Sequence, residues 1–241
     1  MATKRGGFSN ARPAEETAAV LLRSVDFGES DRIVTLLTER LGRVSALAKG
    51  ARNSRKRFGA SLEPFQVIVA SLAPGSGELM RLSEARVVRS FPSILGSLDA
   101  MREAGRALEA IRNVAPQRHV EPRLLMLTEQ LFEALDAGRV EGIFAKTSLR
   151  VLDIIGLAPR LDACLVCGRV PGAGQSAMFD PARGGIVCRA CGGGPIKLAS
   201  AARVWMMQVL ANEEDVAPPP KDVLRDAEHA VEAFVTRHVA S

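Results

Sequence analysis

Thr17–Gly50 reads TAAVLLRSVDFGESDRIVTLLTERLGRVSALAKG, and its periodicity decides the fold. "TAAVLLRSV" is a β-branched, apolar run, closed by the turn formers of "DFGESD". In "RIVTLLT", Ile33, Thr35 and Leu37 alternate against Val34 and Leu36, the period-two pattern of a strand. "ERLG" is a turn, in which Gly42 supplies the positive φ required. In "RVSALAKG", Val44, Ala46 and Ala48 fall on one side and Arg43, Ser45, Leu47 and Lys49 on the other. Further along, "PFQVIVASLA" is strongly β-prone, "PGSG" makes a hairpin turn and "ELMRLSEARVV" returns. Five short strands joined mainly by tight turns predict a small closed barrel of the OB-fold pattern over residues 17–90.

Charge singles out the same region. The 241 residues carry a net charge of +5, with a pI of about 9.4. Residues 1–90 hold 15 Lys and Arg against 9 Asp and Glu, whereas residues 91–241 hold 17 against 18. Between Arg40 and Arg57 there are seven basic residues and no acid. The centre of this run, "ALAKGARNSRKRFG" (Ala46–Gly59), lies between two predicted barrel strands and not on a tail. Charge runs are commonly solvated faces, and "RNSRKR" also has the composition of a localisation tag. Position favours a phosphate-binding surface formed by Arg43, Lys49, Arg52, Arg55, Lys56 and Arg57, because OB barrels bind strands through basic grooves with aromatic platforms. Phe27, Phe58 and Phe65 are the candidate platforms. Phe58, directly after the basic run, is either a stacking ring or the anchor of the loop.

After residue 90 the period changes. From Ser93 to Arg112, apolar residues recur at helical spacing. Pro116 and Pro122 punctuate. Leu124–Leu135 marks a second helix, ended near Gly138. Ile143–Ile155 marks a third, apolar nearly throughout and therefore expected at the centre of a bundle. "GLAP" stops it, with Gly156 at the left-handed position and Pro159 beyond. Helical patterning resumes around Trp205 and, after "APPPK", around Phe234. The expected organisation is a flexible tail over 1–16, the barrel, an all-helical domain over 91–163 and 195–241, and an inserted element over 164–194.

That element holds every cysteine of the chain, as Cys164-x2-Cys167 and Cys188-x2-Cys191 separated by 20 residues. Two knuckles of this spacing, with "FDPARGGI" able to fold into a hairpin between them, predict one tetrahedral structural Zn2+. Four protein ligands leave no open position for catalysis. The alternatives are a thiol-redox pair or four unrelated thiols.

Other motifs carry little. "GAGQSA" at Gly172 opens no helix, and no phosphate-binding G-x4-G-K-[ST] loop exists. His119, His229 and His238 show no ligand spacing and read as surface residues. Glu29 and Asp31 suit a turn and form no paired-carboxylate site, and Trp205 with Met206 and Met207 reads as bundle core. The amino terminus lacks the apolar core of a secretory signal, and no 18-residue apolar run is present, so no membrane span is expected.

Asp26–Phe65, "DFGESDRIVTLLTERLGRVSALAKGARNSRKRFGASLEPF", resembles the amino-terminal barrel of the RecO family of bacterial recombination mediators. The likeness continues into "IGLAPRLDACLVCG" (Ile155–Gly168) and "GGIVCRAC" (Gly184–Cys191). The resemblance implies an OB domain, then a helical domain with a zinc-binding element. It implies a cytoplasmic, nucleoid-associated protein that is not an enzyme. Such a protein binds single- and double-stranded DNA, anneals complementary strands and assists recombinase loading. The partners implied are RecR and the acidic carboxy-terminal tail of single-strand-binding protein. The residues alone leave open a second class, an RNA- or ribosome-associated zinc protein with a basic barrel, and a third, a thiol-redox enzyme.

Overall fold

The computed structural model describes residues 13–239 apart from 55, 76 and 213–215. The chain divides into two compact units. One runs through Ser90 and also takes in Pro116–Val120; the other comprises Phe91–Ala115 and the chain from Glu121 onward.

The first unit is a closed five-stranded barrel in the order β1-β2-β3-β5-β4. Its strands are β1 (Glu15–Phe27), β2 (Asp31–Thr38), β3 (Gly42–Ala48), β4 (Gln66–Ala73) and β5 (Met80–Ser90). Neighbours are antiparallel except β3 and β5, which run parallel through Ala46↔Met80 and Leu47↔Arg81. The period-two pattern places Ala19, Val34, Leu36, Val44, Ala46, Ala48, Ile68, Ala70 and Leu72 inside. The many alanines suit a lumen too narrow for large side chains from every strand. β1 runs further than "DFGESD" suggests, because Asp26 and Phe27 still pair with Arg32 and Asp31 across the ladder. The turn proper is only Gly28–Ser30.

Pro116–Val120 does more than punctuate helices: it returns to the barrel. Arg43 and Gln117 form a parallel bridge, and the Arg118 N–H donates to the Arg43 carbonyl at 3.1 Å. Gly42, at φ 65°, lies so close that a Cβ there would strike the His119 carbonyl. Glycine therefore serves both the turn and this close approach.

The second unit is a bundle of α1 (Pro92–Leu95), α2 (Leu98–Val114), α3 (Pro122–Asp136), α4 (Ile143–Ile154), α5 (Ser200–Leu210) and α6 (Lys221–Val239). The pattern that reads as one helix from Ser93 is broken at Gly96. Ser97 caps α2 by accepting from the Ala100 N–H at 3.2 Å. α4 is central, as its composition implies, packing against α2, α3, α5 and α6. It ends as expected at Gly156, φ 74°, where the Leu157 N–H reaches back to the Leu152 carbonyl at 2.7 Å. Between α4 and α5 lies a three-stranded sheet, β7-β6-β8, of β6 (Ala177–Asp180), β7 (Gly185–Ile186) and β8 (Ile196–Leu198). Phe179, Ile186 and Leu198 join Trp205, Met206 and Phe234 in the bundle core. The cysteine segment thus shares a core with the helices instead of lying apart from them.

Candidate nucleic-acid interface and metal centre

The basic loop connects β3 to β4 and is pinned at several of its described residues. The Gly50 N–H donates to Asp31 Oδ1 at 2.8 Å, and the Arg52 N–H to the Ser30 carbonyl at 3.0 Å. The Ala85 N–H donates to the Arg57 carbonyl at 2.9 Å, and Ser61 Oγ donates to the Phe58 and Ala85 carbonyls. Phe58 (2% exposed) and Leu62 sink into the barrel core, and Phe65 is buried as well. The loop is a folded extension of the barrel, and its cations differ in what they do.

Arg52 donates to the Glu29 carbonyl at 3.3 Å and pairs with Asp26 at 3.7 Å, gripping the β1–β2 turn. Arg57 donates to the Lys49 carbonyl at 2.8 Å and to Ser54 Oγ at 3.2 Å, with its guanidinium 5.2 Å from the Phe58 ring centroid. Lys49 and Lys56 are exposed and have no ion-pair partner among the described residues. Arg55 lies outside the described residues. Arg43 is half-buried at the start of β3, six residues from Lys49 and roughly 20 Å away at the strand rise.

Phe58 requires a correction as a DNA contact. Its ring is buried because the residues after the basic run must close the barrel wall, so it anchors the loop and offers no face to a base. Phe65 is buried too, at 8% exposure. Phe27, at 53%, is the exposed ring of the three, at the end of β1 beside the turn gripped by Arg52. Burial separates these rings; nothing in their local sequence does.

The four cysteine sulfurs lie within 4.8 Å of one another. Cys164 is buried, Cys188 and Cys191 are half-buried and Cys167 is exposed. The first knuckle closes through the Gly168 N–H to the Cys164 carbonyl at 2.9 Å, and the second through the Gly193 N–H to the Cys188 carbonyl at 3.0 Å. "FDPARGGI" forms the expected hairpin, with Phe179 opposite Ile186. The Leu165 N–H bonds the Ile186 carbonyl at 2.9 Å and the Val187 N–H the Met178 carbonyl at 2.8 Å, fixing both knuckles to this sheet. The backbone N–H of Cys188, with those of Cys167 and Val166, favours charge on the Cys164 sulfur and lowers its thiol to about 6. Hydrogen bonding to Cys188, then to Cys167, with burial in addition, pushes Cys191 up to about 12.

The set fits a metal ion. A tetrahedron with metal–sulfur bonds of about 2.3 Å has edges of roughly 3.8 Å, and Cys167 and Cys188 stand 3.7 Å apart. One four-sulfur cluster also fits a metal centre better than two independent redox pairs.

A five-stranded OB barrel with a pinned basic loop, followed by a helical unit carrying a four-cysteine cluster, defines the class of protein. The pattern described as "Recombination protein O N terminal" matches residues 14–91, and "Recombination protein O C terminal" matches residues 95–241. The chain belongs to the recombination protein O family, whose members are non-enzymatic mediators in DNA repair. It is similar to the DNA repair protein RecO of Anaeromyxobacter sp. strain Fw109-5, at 40% identity over 230 residues, covering 91% of this chain and 89% of that one. The RecO of Myxococcus xanthus strain DK1622 is 33% identical over 227 residues, with 92% and 91% covered. That of Rubrobacter xylanophilus is 41% identical over 179 residues, with 71% and 69% covered. Among the described residues no helix is long and apolar enough to cross a membrane.

Proposed function

We propose that this protein binds single- and double-stranded DNA through the loop surface of its barrel, anneals complementary strands and assists recombinase loading in the cytoplasm. Family membership supports RecR and the carboxy-terminal tail of single-strand-binding protein as partners. The observation that carries the DNA reading is the pair Lys49 and Lys56. Both are exposed and without ion-pair partners among the described residues, on a loop whose shape other residues hold.

Annealing requires no bond chemistry. Two strands repel through their phosphates, and fixed cations lower that repulsion for any sequence while the base edges stay free to find their complements. Phe27 is the ring placed to stack on an unpaired base beside the loop. Cys164, Cys167, Cys188 and Cys191 hold one Zn2+, which ties the knuckles together and has no part in strand exchange.

The test is a salt series of binding and annealing, with single strands, duplex and structured RNA as competitors, for wild type and K49Q/K56Q. The double variant is expected to bind more weakly at every sequence. Its log–log salt slope should be shallower by about 1.4 for single strands, because each phosphate no longer neutralised takes about 0.7 from the slope. Unchanged binding makes the loop a solvated face, and a clear preference for RNA overturns the DNA reading.

A further inference from the structure

The return segment Pro116–Val120 creates a polar cleft of about 340 Å³ against β3, within the barrel unit. Its walls include Arg43 and Ser45 from β3, Gln117 and Arg118 from the return segment, and Glu78 from the β4–β5 connection. Arg118 adopts φ 53°, a left-handed conformation uncommon for a residue with a side chain. It is held there by its own N–H on the Arg43 carbonyl and by the neighbouring Arg43↔Gln117 bridge.

This backbone directs the guanidinium to the β4–β5 connection, where Nη2 donates to the Glu78 carbonyl at 2.9 Å. Among the described residues that is the guanidinium's one hydrogen bond, and it has no ion pair. A guanidinium has five N–H donors, so most of this fork remains for a ligand. Neither does the Glu78 carboxylate form an ion pair among the described residues, leaving the Arg118 charge uncompensated by it.

The position gives the cleft its ligand. Arg43, Ser45 and Leu47 alternate outward along β3 and Lys49 follows just beyond it, while Val44, Ala46 and Ala48 are buried. Oligonucleotides bind OB barrels across the face of the second and third strands and the loops at its ends. Here the basic loop closes one end of β3, and the paired arginines of the cleft stand at the other. We propose that this cleft is a second phosphate subsite. In it Arg118 and Arg43 take a phosphodiester of a single strand whose other end lies on the basic loop. The proposal rests on the DNA-binding reading above and adds to it a residue from outside the barrel's own sequence.

Oligothymidylates of increasing length, titrated across a salt series, test it. Wild type is expected to gain affinity in a step once the strand is long enough to span the roughly 20 Å of β3. R118Q, which keeps a donor for the Glu78 carbonyl and removes the charge, should lose that step. It should also flatten the salt slope for longer strands by about 0.7, while short strands bind as to wild type. R118K should retain both the step and the slope. Wild-type behaviour by R118Q overturns the proposal, as does equal loss by R118K and R118Q, since the effect is then structural. K49Q/K56Q in the same series separates the two levels. If it weakens binding and R118Q does not, the subsite falls and the interface stands; if it binds as wild type, the interface itself falls.

Discussion

Lys49–Phe65 and Cys164–Gly194 are both excursions rich in turn formers, set between regular elements. In the first, the groups that hold the segment and the groups offered to solvent are different. Phe58 and Leu62 fill the barrel wall, backbone bonds fix the turns, and Lys49 and Lys56 are left outside. In the second, the sheet is held by Phe179, Ile186 and Leu198 in the bundle core, whereas Val166 and Val170 on the knuckle side are 61% and 67% exposed. A few backbone bonds tie each knuckle to that sheet, and the sulfurs that would bind the metal are what join one knuckle to the other. Binding and folding should be separable in the loop and inseparable at the cysteines.

The largest effect expected from breaking this contrast lies at the metal centre. C164S or C188S should lose the metal, about one equivalent per chain, and lower the melting of the helical unit while the barrel's melting stays. Structural zinc contributes about 10–16 kcal/mol to small zinc fingers. Only a fraction is expected here, because the sheet keeps its share of the bundle core. Metal analysis with calorimetry checks both. A variant that retains a full equivalent of metal means the sulfurs do not act as one site.

F58A comes next. Removing a buried ring should destabilise the barrel by about 3–5 kcal/mol, with DNA binding falling only as the folded fraction falls. A variant with wild-type melting and no DNA binding would return Phe58 to the contact surface. F27A should do the opposite. Thermal stability should stay near wild type, single-strand affinity should drop by about 1–3 kcal/mol for one stacked base, and the salt slope should not change, because stacking releases no counterions. Equal affinities for F27A and wild type leave the interface to phosphates alone.

Much of this is legible in the sequence, for physical reasons. Alternation in β2 and β3 shows which residues face inward, because one barrel face is buried and the other is wet. The cysteine spacing shows the cluster, because two tight knuckles converge on a small ion. What stays hidden depends on neighbours distant in the chain. "RNSRKRFG" does not reveal that Arg52 and Arg57 support the loop while Lys49 and Lys56 do not, since their partners are carbonyls and an acid elsewhere in the fold. The role of Phe58 depends on where the barrel wall closes. Pro116–Val120 has no local periodicity, and its bridge to β3 spans more than 70 residues.

Arg57 gives the smallest effect and the sharpest test of separability, since it is both cation and brace. Its Nη2 bond to the Lys49 carbonyl is exposed, so R57A should lower stability by only about 1 kcal/mol. The same change removes one charge from the surface, so the single-strand salt slope should flatten by about 0.7. R57K restores a charge but not the guanidinium fork that reaches Lys49 and Ser54 together. If holding and binding are distinct functions within the loop, R57K should recover the slope while keeping the small loss of stability. Calorimetry beside the salt series reads the two separately. Recovery of both, or of neither, would mean that shape and charge at this loop act as one quantity, as at the cysteines.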